Sequence, residues 1–113
     1  MTRDEYLKDR DLHTDKDRQY YVYRHVCFRL RERFGITHKH WSLRDWIDMS
    51  FACLTRKLDV IRRDNQAVFC VSEYAGERVV WVYSRTLKMI VTVLRADEVE
   101  NNFKYMEALR LAR

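Results

Sequence analysis

The residues best suited to chemistry lie in one short segment, residues 35–44, which reads Gly-Ile-Thr-His-Lys-His-Trp-Ser-Leu-Arg. His38 and His40 carry imidazoles that exchange protons near neutral pH. Lys39 adds fixed positive charge, and Trp41 offers an aromatic surface on which a nucleobase can stack. Phosphodiester chemistry and RNA binding both use this combination of side chains.

This segment connects two predicted helices. A helix over residues 14–34 begins with acidic residues in its first turn and ends at Gly35. A capping-box pattern opens at Ser42, and apolar residues at helical spacing predict a second helix over residues 42–63. Another capping-box pattern near the N terminus predicts a short helix over residues 3–12.

The chain after residue 66 changes to short runs of β-branched and aromatic residues. These runs predict strands over residues 67–74, 78–84 and 88–94, joined by short turns as an antiparallel meander. The middle run is apolar on both faces and is therefore the expected central strand. Asp97 begins a predicted C-terminal helix. The expected fold is α+β, with N-terminal helices packed on a three-stranded antiparallel meander that a C-terminal helix follows.

Composition bounds the function classes. The chain has 113 residues, which predicts a single compact domain over residues 1–113. Its 22 Lys and Arg against 17 Asp and Glu give a formal charge of +5, which favours phosphate-bearing or acidic partners. No apolar run reaches the roughly 18 residues of a membrane span, so no membrane partner is expected.

The three cysteines indicate a reducing compartment. Cys27, Cys53 and Cys70 are odd in number, widely spaced and set among apolar residues. This pattern predicts three buried, reduced thiols and a cytoplasmic protein.

Arginines on the helix over residues 14–34 extend the basic character of the connecting segment. Arg29 and Arg33 precede it in sequence and, with His38, Lys39 and Trp41, are the predicted nucleic-acid-binding residues. The alternative interpretation is an ordinary solvated helix face, because arginines stabilise helices whatever their partner.

A partial resemblance to a known family covers residues 38–94. His40 opens a helix together with Arg44 four residues later, and the last strand ends with the pair Thr92-Val93. This pattern resembles the small ribonucleases of bacterial toxin and mobile-element systems, the group of barnase, EndoU, colicin-type and RelE-like enzymes. Asp48 stands where those proteins often carry a second arginine.

Metal-free RNA cleavage needs a proton-transfer group and cations around the phosphate. His40 is the predicted acid or base, Arg44 and Arg85 are the predicted phosphate ligands, and Thr92 is the predicted hydroxyl donor. The alternatives are a His40 that satisfies a loop hydrogen bond, an Arg44 paired with Asp48, and a Thr92 present as a strand former.

A metal pair at His38 and His40 is a further alternative, but no third ligand lies near it in sequence. We therefore expect neither a metal nor another cofactor. The expected partner is RNA or a single-stranded nucleic acid, with a host or inhibitor protein as a second possibility. The competing function is a non-catalytic phage or mobile-element module that binds a host protein or nucleic acid. Convergence of His40, Arg44 and Arg85 in one pocket favours the enzyme, and their dispersion favours the binding module.

Overall fold

A computed structural model describes residues 1–99 of the chain as three helices followed by an antiparallel sheet. The α+β class is confirmed, but the sheet has four strands where three were predicted. Residues 96–99 are helical, and the rest of the predicted C-terminal helix lies outside the described residues. The elements are α1 Arg3–His13, α2 Lys16–Phe34, α3 Leu43–Leu54, β1 Asp59–Arg63, β2 Ala67–Tyr74, β3 Glu77–Ser84 and β4 Met89–Arg95.

Each helix begins at a side-chain cap, at the residue predicted for α1 and α3 but one residue later than predicted for α2, because Thr14 ends α1 instead of opening α2. The Thr2 hydroxyl accepts a hydrogen bond at the start of α1, and the Asp15 carboxylate does so at the start of α2. At α3 the Ser42 hydroxyl accepts from the Asp45 amide while the Asp45 carboxylate accepts from the Ser42 amide. This reciprocal capping box fixes the point at which the connecting segment becomes helical.

The fourth strand arises because α3 ends earlier than predicted. The helix stops at Leu54 instead of residue 63. Arg56 adopts a left-handed backbone with φ of 59°, and its amide and that of Lys57 bond back to carbonyls of the last helical turn. This geometry is a Schellman-type helix end. The β-branched pair that follows, Val60-Ile61, lies in β1, an exposed edge strand, although the apolar residues of this stretch also fit helical spacing.

The sheet has the order β1-β2-β3-β4, with every neighbouring pair antiparallel. β2 and β3 are joined by a two-residue turn in which Ala75 and Gly76 both have positive φ, the arrangement that matches the twist of a hairpin. Residues 79–83 of β3 are buried without interruption. The prediction that this run forms an interior strand is therefore confirmed.

The main core lies between the helices and one face of the sheet. α2 packs on β4, and α3 packs on β3 and β4. The innermost side chains of α2 are Val22, Val26 and Leu30. The apolar residues at helical spacing along α2 predict a buried stripe of Tyr20, Tyr23, Cys27, Leu30 and Phe34, and all of them pack on the core except Tyr20, which is 56% exposed. Small β-branched side chains allow close packing on the sheet and leave the larger tyrosine at the rim.

Two hydrogen bonds tie α3 to the start of β4. The Trp46 indole Nε1 donates to the carbonyl of Ile90 at 2.9 Å, and the Ile90 amide donates to the Ser50 hydroxyl at 3.0 Å. Trp46 and Ser50 are buried, so these bonds satisfy polar groups that water does not reach. They fix the position of α3, and hence of the segment before it, relative to the sheet.

The cysteines follow the prediction in part. Cys53 and Cys70 are buried in the main core, whereas Cys27 is only half-buried, and none of the three forms a disulfide. Burial raises the pKa of the Cys27 thiol. Over the described part of the chain, no helix combines the length and apolarity that crossing a membrane requires.

Candidate nucleic-acid interface

The segment that connects α2 to α3 presents three basic side chains to solvent. Gly35 takes φ of 69° and turns the chain away from α2. His38, Lys39 and His40 are then exposed. The carbonyl of His40 accepts a hydrogen bond from the Tyr74 hydroxyl at the end of β2, which anchors the segment to the sheet. The imidazoles remain available to a partner in solution.

Trp41 fixes this segment to the core. Its side chain is only 2% exposed and stacks on Trp81, with ring centroids 5.3 Å apart. The edge of Tyr74 meets the Trp41 ring at a centroid distance of 5.5 Å. A base cannot stack on an indole that is already covered by other side chains. In this structure Trp41 therefore anchors the connecting segment to the core and does not offer the stacking surface predicted for it.

The predicted catalytic residues lie at opposite ends of the sheet. His40 is held at the end of β2, whereas the amide of Arg85 donates to the carbonyl of Gln66, just before β2 begins. The eight residues of β2 separate these points by about 26 Å at 3.3 Å per residue. Arg44 has 85% of its side chain exposed and reaches the Asp48 carboxylate only at 3.9 Å. A single substrate phosphate cannot contact His40 and Arg85 together.

Thr92 lies on the face of the sheet away from the helices. It pairs with Val82 and is two residues from Leu94, so both side chains point to the same side. Leu94 packs against Val71 and Val80 in a second, smaller apolar cluster on that side. Among the clefts formed by the described residues, none is therefore lined by more than one of the four predicted catalytic side chains.

Arg29 and Arg33 differ in their availability. The Arg33 side chain is 21% exposed, and its guanidinium donates to the carbonyl of Val93 at 2.8 Å and pairs with Glu98 at 3.2 Å. These contacts hold the end of α2 against the end of β4. Arg29 forms an ion pair with Glu32 at 2.7 Å and remains accessible at the surface of α2.

A groove between α2 and the connecting segment brings several of the basic residues together. We call it the α2 groove; its volume is about 600 Å³, and it is lined by Arg24, Cys27, Phe28, Arg31, Ile36, Thr37, His38 and Trp41. Phe28 is 58% exposed at its rim. The Arg29 guanidinium lies 5.7 Å from the centre of the Phe28 ring. No acidic side chain is among the lining residues that belong to the described part of the chain.

A shallower depression continues this surface toward the start of α2. It is lined by Asp17, Tyr20, Tyr21, Arg24 and His25. Tyr21 is 74% exposed, and the Arg24 guanidinium lies 6.0 Å from the centre of the Tyr20 ring. Exposed aromatic and guanidinium groups therefore alternate along the outer side of α2 over about two turns.

The sequence did not single out Phe28, and it indicated Arg24 and Arg31 only as members of the arginine-rich face of this helix. A signal was present, because Phe28 lies off the apolar stripe of α2 and has arginine at the next position and four residues before it. An aromatic residue off the buried stripe of an amphipathic helix is expected at the surface.

Metal binding and known relatives add no further assignment. Among residues 1–99, no group of three or more His, Cys, Asp or Glu side chains is placed to hold a metal ion. No protein-family model, curated protein or solved structure matches the chain significantly. The resemblance to small ribonucleases stays a prediction, and function must be inferred from the chain's own surface.

Proposed function

We propose that this protein binds single-stranded RNA along the α2 groove as a non-catalytic module. The observation that carries the proposal is the exposed Phe28 ring with Arg24, Arg31 and His38 around it and no acid among the groove's lining residues. Proteins that bind single strands combine cations that follow the backbone with aromatic rings on which bases stack.

The same surface has a composition that also suits a protein partner, because tyrosine, phenylalanine and arginine are enriched at interfaces. The charge favours RNA. Arg24, Arg31 and His38 face the groove together, and Lys39 and His40 extend the basic surface beyond it. A protein partner would need a strongly acidic surface to match them, whereas every RNA supplies phosphates at regular intervals.

The non-catalytic form of the proposal follows from the dispersion of His40, Arg44, Arg85 and Thr92 described above. Acid–base catalysis requires the proton-transfer group and the phosphate ligands within hydrogen-bond reach of one substrate. RNA cleavage by His40 stays a prediction, and it has a direct test. A labelled RNA incubated with the protein should remain intact on a denaturing gel, whereas cleavage that falls 10²- to 10⁴-fold in His40→Ala would establish the enzyme.

Binding is best measured by fluorescence anisotropy with a labelled uridine 12-mer over a series of salt concentrations. The logarithm of the affinity should fall with the logarithm of salt by about 0.7 for each phosphate neutralised. Phe28→Ala should weaken binding by about 5- to 150-fold, since stacking contributes about 1–3 kcal/mol per base. Arg31→Gln should weaken binding and also reduce the salt slope.

Two matched variants control for general effects. Leu12→Ala removes another large exposed apolar side chain, 84% exposed on α1, and Lys8→Gln removes a charge elsewhere on α1. Both should leave RNA affinity close to that of the wild type. Equal losses in Phe28→Ala and Leu12→Ala would overturn the proposal, as would binding that does not respond to salt.

A further inference from the structure

A second basic site lies at the other end of the molecule, away from the α2 groove. The cavity has a volume of about 370 Å³ and is bounded by the end of α3, by β1 and by the connection from β3 to β4. Four of its lining residues are cations, namely Arg56, Arg63, Arg85 and Lys88. None of its lining residues is acidic, and within residues 1–99 none of the four cations forms a salt bridge.

Two of these cations occupy backbone positions that L-residues seldom adopt. Arg56 has φ of 59° and Lys88 has φ of 65°, and they are two of the three non-glycine residues with positive φ in the described chain. Glycine is the least strained residue at such positions. Strained positions that retain a functional side chain are characteristic of binding sites. Both of these positions carry a cation directed to the same cavity.

The backbone of each strained position is held by hydrogen bonds. The Lys88 amide donates to the Ser84 carbonyl at 2.9 Å, and the Lys88 carbonyl accepts from the buried Tyr6 hydroxyl. The Arg56 amide closes the end of α3 by donating to the Cys53 carbonyl. The cations are therefore attached to a fixed frame, which lowers the entropy that ligand binding must overcome.

Arg85 is positioned in a similar way. Its guanidinium donates to the Asp64 carbonyl at 3.1 Å, and its amide donates to the Gln66 carbonyl at 2.9 Å. The Asp64 carboxylate accepts hydrogen bonds from the amides of Gln66 and Ala67. The carboxylate of Asp64 is thus occupied by hydrogen bonds within the turn. Within residues 1–99 it forms no direct ion pair with Arg85, whose positive charge stays available to a ligand.

The size and lining of the cavity indicate what it holds. Its volume is about twelve times the roughly 30 Å³ that one water occupies in the liquid, so an isolated phosphate would leave most of it empty. Apolar surface from Val60, Val68 and the Tyr83 ring lies beside the cations. A ligand that matches both parts has a multiply charged anionic group joined to a less polar organic group.

We propose that this cavity binds a phosphate monoester carried by a nucleoside-sized group, supplied as a free nucleotide or as the phosphorylated end of an RNA. A monoester carries a charge of about −1.5 to −2 and three acceptor oxygens, whereas an internal phosphodiester carries one charge. Four cations around one cavity, none of them in a salt bridge within residues 1–99, favour the monoester. This site is spatially separate from the α2 groove, because it lies at the opposite end of the sheet, so a nucleotide can bind there whether or not RNA occupies α2.

Isothermal titration calorimetry with adenosine 5′-monophosphate, adenosine and inorganic phosphate tests the proposal. The nucleotide should bind more tightly than inorganic phosphate, and adenosine should bind at least tenfold more weakly than the nucleotide. Two RNA octamers, one with a 5′-phosphate and one with a 5′-hydroxyl, identify the source of the ligand. Preference for the 5′-phosphate octamer indicates an RNA end, and binding of the nucleotide without that preference indicates a free nucleotide.

Substitution by glycine separates binding from folding. Arg56→Gly and Lys88→Gly each remove a cation and relieve the strained backbone, so each should weaken nucleotide binding at least about tenfold while the melting temperature stays the same or rises. Arg63→Gln removes a charge at an unstrained strand position and should weaken binding as well. Lys8→Gln and Arg44→Gln make the same change of charge outside the cavity and should bind the nucleotide as the wild type does.

Two results would overturn this assignment. One is a nucleotide that binds no more tightly than adenosine. The other is Arg56→Gly and Lys88→Gly variants that bind the nucleotide as well as Arg44→Gln does. Loss of RNA binding in Phe28→Ala with unchanged nucleotide binding would show that the two sites act separately.

Discussion

Trp41 and Phe28 should respond to truncation in opposite ways, although both are large aromatic residues beside the same groove. Trp41 is 2% exposed and stacked on Trp81, whereas Phe28 is 58% exposed. A buried aromatic side chain removes about 150–250 Å² from water, which corresponds to about 4–6 kcal/mol at 25 cal/mol per Å². Measured costs of Trp→Ala substitutions in cores are about 3–5 kcal/mol.

We therefore expect Trp41→Ala to lower the free energy of unfolding by about 3–5 kcal/mol. This is a large part of the roughly 6–17 kcal/mol expected for a domain of this length. At about 4 °C per kcal/mol, the melting temperature should fall by about 12–20 °C. Phe28→Ala should change the stability by no more than about 0.5 kcal/mol, because most of its ring is already in water.

Urea denaturation and thermal unfolding followed by circular dichroism measure both variants under the same conditions. RNA affinity is then measured at a temperature at which Trp41→Ala is still folded. At that temperature Trp41→Ala should retain more RNA affinity than Phe28→Ala does. A Trp41→Ala variant of wild-type stability, or a Phe28→Ala variant as unstable as Trp41→Ala, would refute the assignment of one ring to the core and the other to the interface.

Four further predictions concern the elements that hold the two surfaces. Ser42→Ala should lower the stability by about 1 kcal/mol in urea titrations, because it removes the hydroxyl that accepts from the Asp45 amide at the start of α3. Ala75→Asn should raise the stability by a few tenths of a kcal/mol, since asparagine tolerates positive φ in a hairpin turn. Hydrogen bonds from the Ala67 and Gln66 amides lower the pKa of the Asp64 carboxyl. The carboxylate therefore stabilises the fold above its ordinary pKa of 3.8, and this stabilisation is lost as the pH falls toward the lower pKa of the folded protein. Asp64→Ala should be less stable than the wild type at pH 7 and no less stable near pH 2. A polar disulfide reagent should modify Cys27 before the two buried thiols, and rapid modification of all three in the native protein would contradict the core described above.

The sequence predicted the caps of α1 and α3 and the interior strand because their signals are local. A serine with an acidic residue three positions later forms the same pair of bonds in almost any fold, so Ser42 marked the start of α3 correctly. Residues 79–83 are apolar at every position, which suits only a strand covered on both faces. Neither inference needed knowledge of the tertiary contacts.

The end of α3 could not be predicted in the same way. Glycine is the usual signal for a left-handed helix end, and it marks the end of α2 at Gly35. At the end of α3 the same conformation is adopted by Arg56, although arginine has a high helix propensity and gives no signal that a helix ends. The helical pattern therefore continued through residues that pair with β2 instead, and the fourth strand was missed.

The second basic site could not be predicted from the sequence, partly because the helix end at Arg56 was not recognised. Arg56, Arg63, Arg85 and Lys88 are spread over 33 positions of the chain, and each has an ordinary interpretation as a surface charge. They meet only because α3 stops short, β1 pairs at the sheet edge and the β3–β4 connection turns back beside it. The residues of the predicted cluster, His38–His40, stay close together because they are neighbours in sequence, but the fold does not bring them near Arg85.

The packing of the helices determines where both surfaces lie. α2 and α3 cover β3 and β4, and α1 is fixed to the β3–β4 connection through the Tyr6 hydroxyl. No described helix packs extensively on β1, so the side of the sheet between α3 and that strand remains open as a cavity. The outer side of α2, which faces away from the sheet, is left for Phe28 and its arginines. The two basic surfaces lie at opposite ends of a sheet about 26 Å long, so one RNA strand can follow α2 and end at Lys88. A 5′-phosphorylated RNA that is long enough to reach both surfaces should then bind more tightly than the same RNA shortened to an octamer.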